Sequence, residues 1–301
     1  MKIIGLIGTD RSPSHDSAVA AIEDGRVKFA TEEERIIRKK KAIGLFPLYS
    51  LNACLEYCNW KLNDIDAISF GWDFTDDGNY PIKDAFIENI PLLITSNIVS
   101  NKVHFVNHHL AHAISAWSYS NGKPTLAIVC DGRGEKNSIS GYLLSVGKKP
   151  HQIFSHSIKE SIGLFYESAA SYCGLGYMSA GKLMGLASYG TEFSTSDTIN
   201  NIMSKGDGFQ NIGEDDFAVD TSVKLFEAWI KEFSRNYYPF ERRQENSSIL
   251  PYANFASMVQ SILENSILSI LELHLKKYSS VENIVLAGGV FLNCKMNEII
   301  I

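Results

Sequence analysis

The apolar and polar positions of this chain follow the same order twice. Residues 2–34 contain three short apolar strands, and the last two are joined across Asp24-Gly25, a dipeptide typical of tight hairpin turns. Residues 125–158 repeat this plan with a continuous apolar strand, a turn that begins at Asp131, and two further strands. Asp10 and Asp131 therefore occupy equivalent places, just after the first strand of each copy. The pattern predicts an internal duplication.

Helical segments follow each set of strands. Apolar residues recur at helical spacing in four segments, at 47–60, 162–173, 221–233 and 252–278. The polar segment 191–220 is expected to form loops, and a buried strand at 284–287 leads into Gly288-Gly289. Because such a turn should be followed by a helix and more sheet, we expect the second half of the duplication to be truncated at residue 301.

The duplicated β-β-β-α plan predicts the fold class. Two copies that each open with a strand and an aspartate turn are typical of the actin-like architecture of sugar kinases and heat-shock ATPases. The alternative is that any two α/β domains can begin with a strand and a hairpin. We predict an α/β, ribonuclease H-like fold of two duplicated actin-like subdomains, at 1–122 and 123–301.

Composition and charge narrow the class of protein. The chain has 301 residues, 45% hydrophobic and 21% charged, a balance that excludes a largely disordered protein. A net charge of −6 argues against a surface that coats nucleic acid. The five cysteines form no CxxC pair and are expected to be reduced thiols. Because even the apolar stretch 86–99 is too interrupted to span a membrane, we expect a cytoplasmic protein.

Two histidines carry the sharpest chemical signal. His108 and His112 are four residues apart, so on a helix both imidazoles project from one face and can bind one metal ion. Asp131, at the end of the following strand, is a candidate third ligand, and this set suits Fe(II) or Zn(II). His104 and His109 do not fit the same ligand face. The alternative is a surface helix with incidental histidines, because HxxxH is common by chance.

Two glycine-containing segments are candidate nucleotide contacts. At Gly181 and Lys182, backbone N–H groups can approach a phosphate that the lysine neutralises. Gly288, Gly289 and Asn293 follow the last predicted strand, and in an actin-like fold a Gly-Gly turn there lies against the nucleotide. A helix-packing seam explains the first segment equally well, and a tight turn before a helix explains the second.

Further candidates lie near the N-terminus. His15 is in the turn between the first two strands, where an imidazole can act as a general base in the cleft between subdomains. The alternative is a turn histidine that caps backbone groups. A charge run after the third strand includes Arg35, Arg38 and Lys39. Such a run is usually a solvated face, although at a strand end it can also bind a phosphate.

Taken together, these motifs resemble the carbamoyltransferase family. The resemblance rests on GTDRSPSHDSAVAAIEDGRV, EEERIIRKKK, VNHHLAHA, VCDGRGE, GKLMGLASYG and LAGGVFLNC. It runs from residue 2 to about residue 297, in the order that the family has. The family includes antibiotic and nodulation-factor O-carbamoyltransferases and is related to the tRNA threonylcarbamoyl-adenosine transferase, which shares the NHxxxH motif.

The resemblance implies O-carbamoyl transfer. Carbamoyl-adenylate, made from carbamoyl phosphate and ATP, would donate its carbamoyl group to a hydroxyl of a small-molecule acceptor such as a sugar or aminocyclitol. It also implies Fe(II), or another divalent ion, on His108, His112 and Asp131. The fourth ligand and the adenylate-forming domain would lie beyond residue 301, so the 301-residue chain alone is expected to be inactive or only partly active.

The resemblance assigns roles to the remaining candidates. His15 would take the proton from the acceptor hydroxyl. The implied contacts to phosphate and adenosine are Arg35, Arg38, Lys39, Gly181, Lys182, Gly288, Gly289 and Asn293. Two other classes stay open, an actin-like ATP-dependent small-molecule kinase and a non-catalytic module that binds nucleotide and a protein partner. Neither nucleic acid nor a membrane is expected as a partner, and a homodimer is left open.

Overall fold

The computed structural model describes residues 1–9, 14–75, 100–176, 178–191, 221–237, 239, 241–244 and 247–300. Asp10, the apolar stretch 86–99 and nearly all of the predicted loop segment 191–220 lie outside these residues. The chain divides into two units, Met1–Ala111 and His112–Ile301.

The first unit is built on a mixed five-stranded sheet. Its strands are β1 (Lys2–Ile7), β2 (Ala18–Glu23), β3 (Arg26–Glu32), β4 (Ala67–Phe70) and β5 (Val103–Phe105). Their spatial order is β3-β2-β1-β4-β5. The first three strands pair antiparallel, whereas β4 and β5 run parallel to β1. The hairpin predicted at Asp24-Gly25 joins β2 to β3, as expected.

Helix α2 (Leu48–Cys58) packs on this sheet because its apolar residues recur at helical spacing. Leu51 and Cys54 are buried in one cluster with Ile68 of β4. Burial raises the pKa of the Cys54 thiol to about 12, as expected for a core residue. Cys58, one helical turn later, is half-buried against the same cluster.

The second unit repeats the arrangement. Its strands are β6 (Thr125–Cys130), β7 (Asn137–Leu144), β8 (His151–Ser157) and β9 (Asn283–Ala287). Their order is β8-β7-β6-β9, with β9 parallel to β6 and the other pairs antiparallel. This reproduces β3-β2-β1-β4, so the predicted duplication is confirmed. The prediction that β9 is a buried strand is wrong: β9 is an edge strand of the described sheet, and Ile284 is 44% exposed.

Helices cover the second sheet around a large aromatic cluster. The helices after α1 (Glu33–Ile37) and α2 are α3 (His108–Trp117), α4 (Ile162–Tyr172), α5 (Ala180–Ala187), α6 (Thr221–Asn236), α7 (Ala253–Lys277) and α8 (Cys294–Ile300). Short 3-10 turns lie at Lys40–Ala42, Leu62–Asp64, Ser100–Lys102, Ser118–Ser120, Ile158–Glu160, Leu250–Tyr252 and Gly289–Leu292. Rings of Phe165, Tyr172, Phe233 and Phe255 pack together at the centre of the cluster.

None of the helices described combines the length and apolar character needed to cross a membrane.

The division between the two units falls inside helix α3, between Ala111 and His112. Within the second unit, His112 pairs with Asp131. The subdomain limits 1–122 and 123–301 stay a prediction.

A buried carboxylate fixes the start of helix α2. Glu33 of α1 is 1% exposed, and its two carboxylate oxygens accept the N–H groups of Tyr49 and Ser50 at 3.1 and 2.7 Å. Both N–H groups belong to the first turn of α2, where they have no acceptor within the helix. Pro47 is the N-cap residue, and its side chain makes no capping hydrogen bond. The charge run that begins at Glu32 is therefore not a uniformly solvated face.

Removing this carboxylate should destabilise the first unit. We expect Glu33→Ala to lower the free energy of unfolding by about 1–3 kcal/mol, because the buried N–H of Ser50 and the part-buried N–H of Tyr49 lose their acceptor. Urea unfolding followed by circular dichroism measures the change. The matched control is Glu32→Ala, which removes an exposed ion pair with Arg35 and should change stability by less than about 0.5 kcal/mol. Equal stabilities of the two variants would contradict the capping role.

Candidate metal centre

Helix α3 presents two histidines on one face. Asn107 precedes the helix, and its side-chain oxygen accepts the N–H of Leu110 at 3.1 Å, so the sequence caps its own helix just before His108. His108 and His112 are then one helical turn apart, as their spacing predicts.

His108 is oriented by a carbonyl group. Its Nδ1 lies 3.0 Å from the carbonyl oxygen of Gly71, and its ring lies 4.9 Å from the ring of Trp72. Because a carbonyl oxygen can only accept a hydrogen bond, Nδ1 must carry the proton. In the neutral ring Nε2 then carries the lone pair, which is the arrangement that a metal-binding histidine requires.

Asp131 is positioned by the strand that it follows. All six residues of β6 are buried, and the Asp131 N–H continues the ladder by donating to Ser138 O at 2.8 Å. The two carboxylate oxygens have different neighbours. Oδ1 accepts the N–H of Gly132 at 2.7 Å, whereas Oδ2 lies 3.2 Å from His112 Nε2.

The three predicted metal ligands lie close together. One ligand atom from each of His108, His112 and Asp131 lies within 4.8 Å of the other two, and all three residues are half-buried. Ligand atoms about 2.1 Å from one ion in a tetrahedral arrangement are about 3.4 Å apart, so the three side chains would draw closer together on binding it. Two imidazole nitrogens and one carboxylate suit a divalent transition-metal ion. The residues present therefore fit the metal that the sequence implies.

His15 lies in an exposed turn and is held by a carboxylate. Its Nδ1 lies 2.7 Å from Asp16 Oδ2, and Lys41 Nζ lies 3.2 Å from the same oxygen. Burial alone would raise the pKa of Asp16, but the His15 hydrogen bond and the charge of Lys41 outweigh it and lower that pKa. Asp16 thus stays ionised near neutral pH, and the role of His15 as a base stays a prediction.

The charge run that includes Arg35, Arg38 and Lys39 has mixed surroundings. Arg35 donates to the Glu32 carboxylate at 3.0 Å, and the backbone N–H of Lys41 donates to Glu34 at 2.6 Å. Arg38 and Lys39 are exposed. Their contact with a phosphate stays a prediction.

The segment with Gly181 and Lys182 is the first turn of helix α5, and both residues are exposed. The N–H groups of Ser179 and Ala180 at this helix start donate to the Glu167 carboxylate at 2.9 and 3.1 Å. A phosphate at this helix start would therefore compete with Glu167 for the backbone donors.

Asn293 is engaged inside the protein. It is 8% exposed, and its amide pairs with the Gln260 amide through two hydrogen bonds of 2.9 and 3.0 Å. Its Oδ1 also accepts the N–H of Met296 at 3.0 Å, and the hydroxyl of Tyr166 donates to Gln260. The amide thus anchors the Gly288-Gly289 turn to α4 and α7, and its contact with adenosine stays a prediction.

Sequence reasoning missed three of these partners because they are distant in the chain. Gly71 is 37 residues from His108, Gln260 is 33 residues from Asn293, and Glu167 is 12 residues from Ser179. Gly71 alone has a signal that could have found it, because it directly follows strand β4.

Comparison with known proteins gives relatives along nearly the whole chain. Residues 79–301 match the family described as Carbamoyltransferase N-terminus. Nodulation protein NolNO of Sinorhizobium fredii (strain NBRC 101917 / NGR234) is 30% identical over 308 residues, which cover 94% of this chain and 42% of that protein. Nodulation protein NolO of Bradyrhizobium diazoefficiens is 29% identical over 196 residues, 64% of this chain and 32% of that protein. The chain thus spans less than half of these curated relatives.

A solved structure shares the fold. Component A of the (R)-2-hydroxyglutaryl-CoA dehydratase of Acidaminococcus fermentans matches with a TM-score of 0.50 and 12% identity, over 99% of this chain and 86% of that chain. This likeness concerns the fold alone, and it agrees with the two matching sheets in confirming the predicted actin-like α/β class.

Since the family match covers most of the residues, the chain belongs to the carbamoyltransferase family, whose N-terminal region it represents.

Proposed function

We propose that this chain is the metal-carrying part of an O-carbamoyltransferase. The enzyme would transfer a carbamoyl group from carbamoyl-adenylate to a hydroxyl of a small molecule such as a sugar or aminocyclitol. The observation that carries the proposal is the convergence of His108, His112 and Asp131 in a chain of this family. The net charge of −6 favours a small-molecule acceptor over RNA.

The three ligands would hold one divalent ion, with Fe(II) as the first candidate. Bound there, such an ion supplies Lewis-acid polarisation of an oxygen atom of the donor. The protein holds the ligand atoms in place: Gly71 O keeps the proton of His108 on Nδ1, and the Gly132 N–H holds Oδ1 of Asp131. In the proposed site, the ion would bind through Nε2 of His108 and through Oδ2 of Asp131, the oxygen that faces His112.

His15 would act as the base of the transfer step. Because Asp16 accepts the proton of Nδ1, Nε2 of His15 is left to take the proton from the acceptor hydroxyl. The acceptor oxygen then forms a bond to the carbamoyl carbon, and AMP leaves with the electrons of the bond that breaks. The carboxylate of Asp16 stabilises the imidazolium that results.

Basic and glycine residues would bind the nucleotide part of the donor. Arg38 and Lys39 are exposed cations, and Arg35 is close to them in sequence although Glu32 already pairs with it. The Gly288-Gly289 turn would approach the adenosine, because it lacks side chains that keep a ligand at a distance. ATP and carbamoyl phosphate would be the substrates from which the complete protein makes the adenylate.

Isotope transfer tests the reaction class. We expect the complete natural protein, supplied with ATP and a panel of sugars and aminocyclitols, to move label from the carbamoyl carbon of carbamoyl phosphate to an acceptor hydroxyl. Transfer of label from the γ-phosphate of ATP instead would identify a kinase and overturn the proposal.

Replacing a predicted ligand should weaken metal binding. We expect His108→Ala to lower the affinity of the chain for Fe(II), titrated without oxygen, by at least about tenfold, which is the lower limit seen when even an indirect partner of a metal site is lost. His151→Ala, which changes an exposed histidine of β8, is the control and should bind like the unmodified chain. Unchanged affinity in His108→Ala would show that the ion binds elsewhere.

His15 should affect one half-reaction only. In the complete protein, His15→Asn should slow carbamoylation of the acceptor by about 10²- to 10⁴-fold, the usual effect of losing a general base. Formation of carbamoyl-adenylate, followed as pyrophosphate release, should be unchanged. His104→Asn, at an exposed position of β5, is the control. If both half-reactions fall together, His15 has a structural role and the assignment is wrong.

A further inference from the structure

Of the two carboxylate oxygens of Asp131, Oδ2 faces His112 and Oδ1 accepts the backbone N–H of Gly132. We propose that Gly289 is a positioning residue for this carboxylate, and that its missing side chain leaves the space that Oδ1 occupies. A Cβ atom at position 289 would lie 3.0 Å from Oδ1 and 3.8 Å from Cγ of Asp131. The inference rests on the metal centre of the proposed function and assigns Gly289 a role toward it.

Strand pairing brings Gly289 to this place. In the parallel pair of β6 and β9, Val129 lies opposite Ala287. Continuing this register by one and two residues sets Gly288 beside Cys130 and Gly289 beside Asp131. A Cβ atom on Gly288 would overlap the carbonyl oxygen of Cys130, so the two backbones meet without space between them.

The turn that carries Gly289 is firmly held. Val290 and Phe291 are buried, and the N–H of Phe291 donates to Gly288 O at 3.1 Å. The paired amides of Asn293 and Gln260 anchor the end of the turn to α7. Because the backbone cannot easily move away, a side chain at position 289 would displace the carboxylate.

Displacement would act on the ligand geometry. Oδ1 is held by the Gly132 N–H at 2.7 Å, and this contact turns Oδ2 toward His112 Nε2 at 3.2 Å. A methyl group against Oδ1 would rotate or shift the carboxylate by a few tenths of an ångström and misplace Oδ2. The backbone of Gly289 does not have the left-handed φ of Gly288, which is +94°, so alanine fits this backbone and the carboxylate takes the effect.

Titration of the chain with Co²⁺, followed by the visible absorption of the bound ion, tests the assignment. We expect Gly289→Ala to bind Co²⁺ about 10- to 100-fold more weakly than the unmodified chain, with an altered spectrum and an unchanged midpoint of thermal unfolding. Gly185→Ala is the matched control, because a Cβ atom there has no heavy atom within 4 Å. Equal affinities of Gly289→Ala and the unmodified chain would overturn the inference while leaving the metal centre intact.

A double-variant cycle separates positioning from direct obstruction of the ion. Asp131→Ala keeps both histidines of α3, so weak binding of Co²⁺ remains measurable. In that background we expect Gly289→Ala to have no further effect on affinity, because the group on which it acts is gone. A full additional loss would show that the methyl group blocks the ion itself and would overturn the inference. Absence of Co²⁺ binding by the unmodified chain would overturn the proposed metal centre together with this inference.

Discussion

The complete burial of strand β6 is the constraint on which the candidate site depends. All six of its residues are buried, with β7 on one side and β9 on the other. A strand paired on both sides is held in register, because a shift by one residue would disrupt the hydrogen bonds to both neighbours. Asp131 is the first residue beyond the strand, so its backbone position is fixed by the sheet and its carboxylate needs only local contacts to be oriented.

The sequence was sufficient to predict those features that local patterns encode. The two strand-turn-strand copies and the helical placement of His108 and His112 follow from spacings of a few residues, and the structure has them. Hydrogen bonds between residues that are far apart in the chain could not be predicted, because no local pattern marks the partner. Examples are the bonds from the start of α2 to Glu33 and the bonds between Gln260 and Asn293. The half-buried state of β9 was missed for a related reason: an apolar run is compatible with either a central or an edge strand.

Acidic side chains serve as helix caps in both units. Glu33 of α1 caps α2 in the first unit, and Glu167 of α4 caps α5 in the second. Each carboxylate accepts two backbone N–H groups and lies at the positive end of the helix dipole. The donors at these two helix starts are therefore engaged. For the proposed function, this favours the charged residues Arg38 and Lys39 over the glycine segment at Gly181 as contacts of a phosphate group.

His15 and His108 share one arrangement but have partners of different charge. In each ring Nδ1 is engaged, by the Asp16 carboxylate in the first case and by the Gly71 carbonyl in the second. A neutral carbonyl fixes the tautomer without favouring a positive charge on the ring, as suits a nitrogen that must keep its lone pair for a metal. A carboxylate stabilises the imidazolium, as suits a nitrogen that must take up a proton. In the proposed function, the partner of Nδ1 thus distinguishes the histidine that would bind the metal from the histidine that would act as the base.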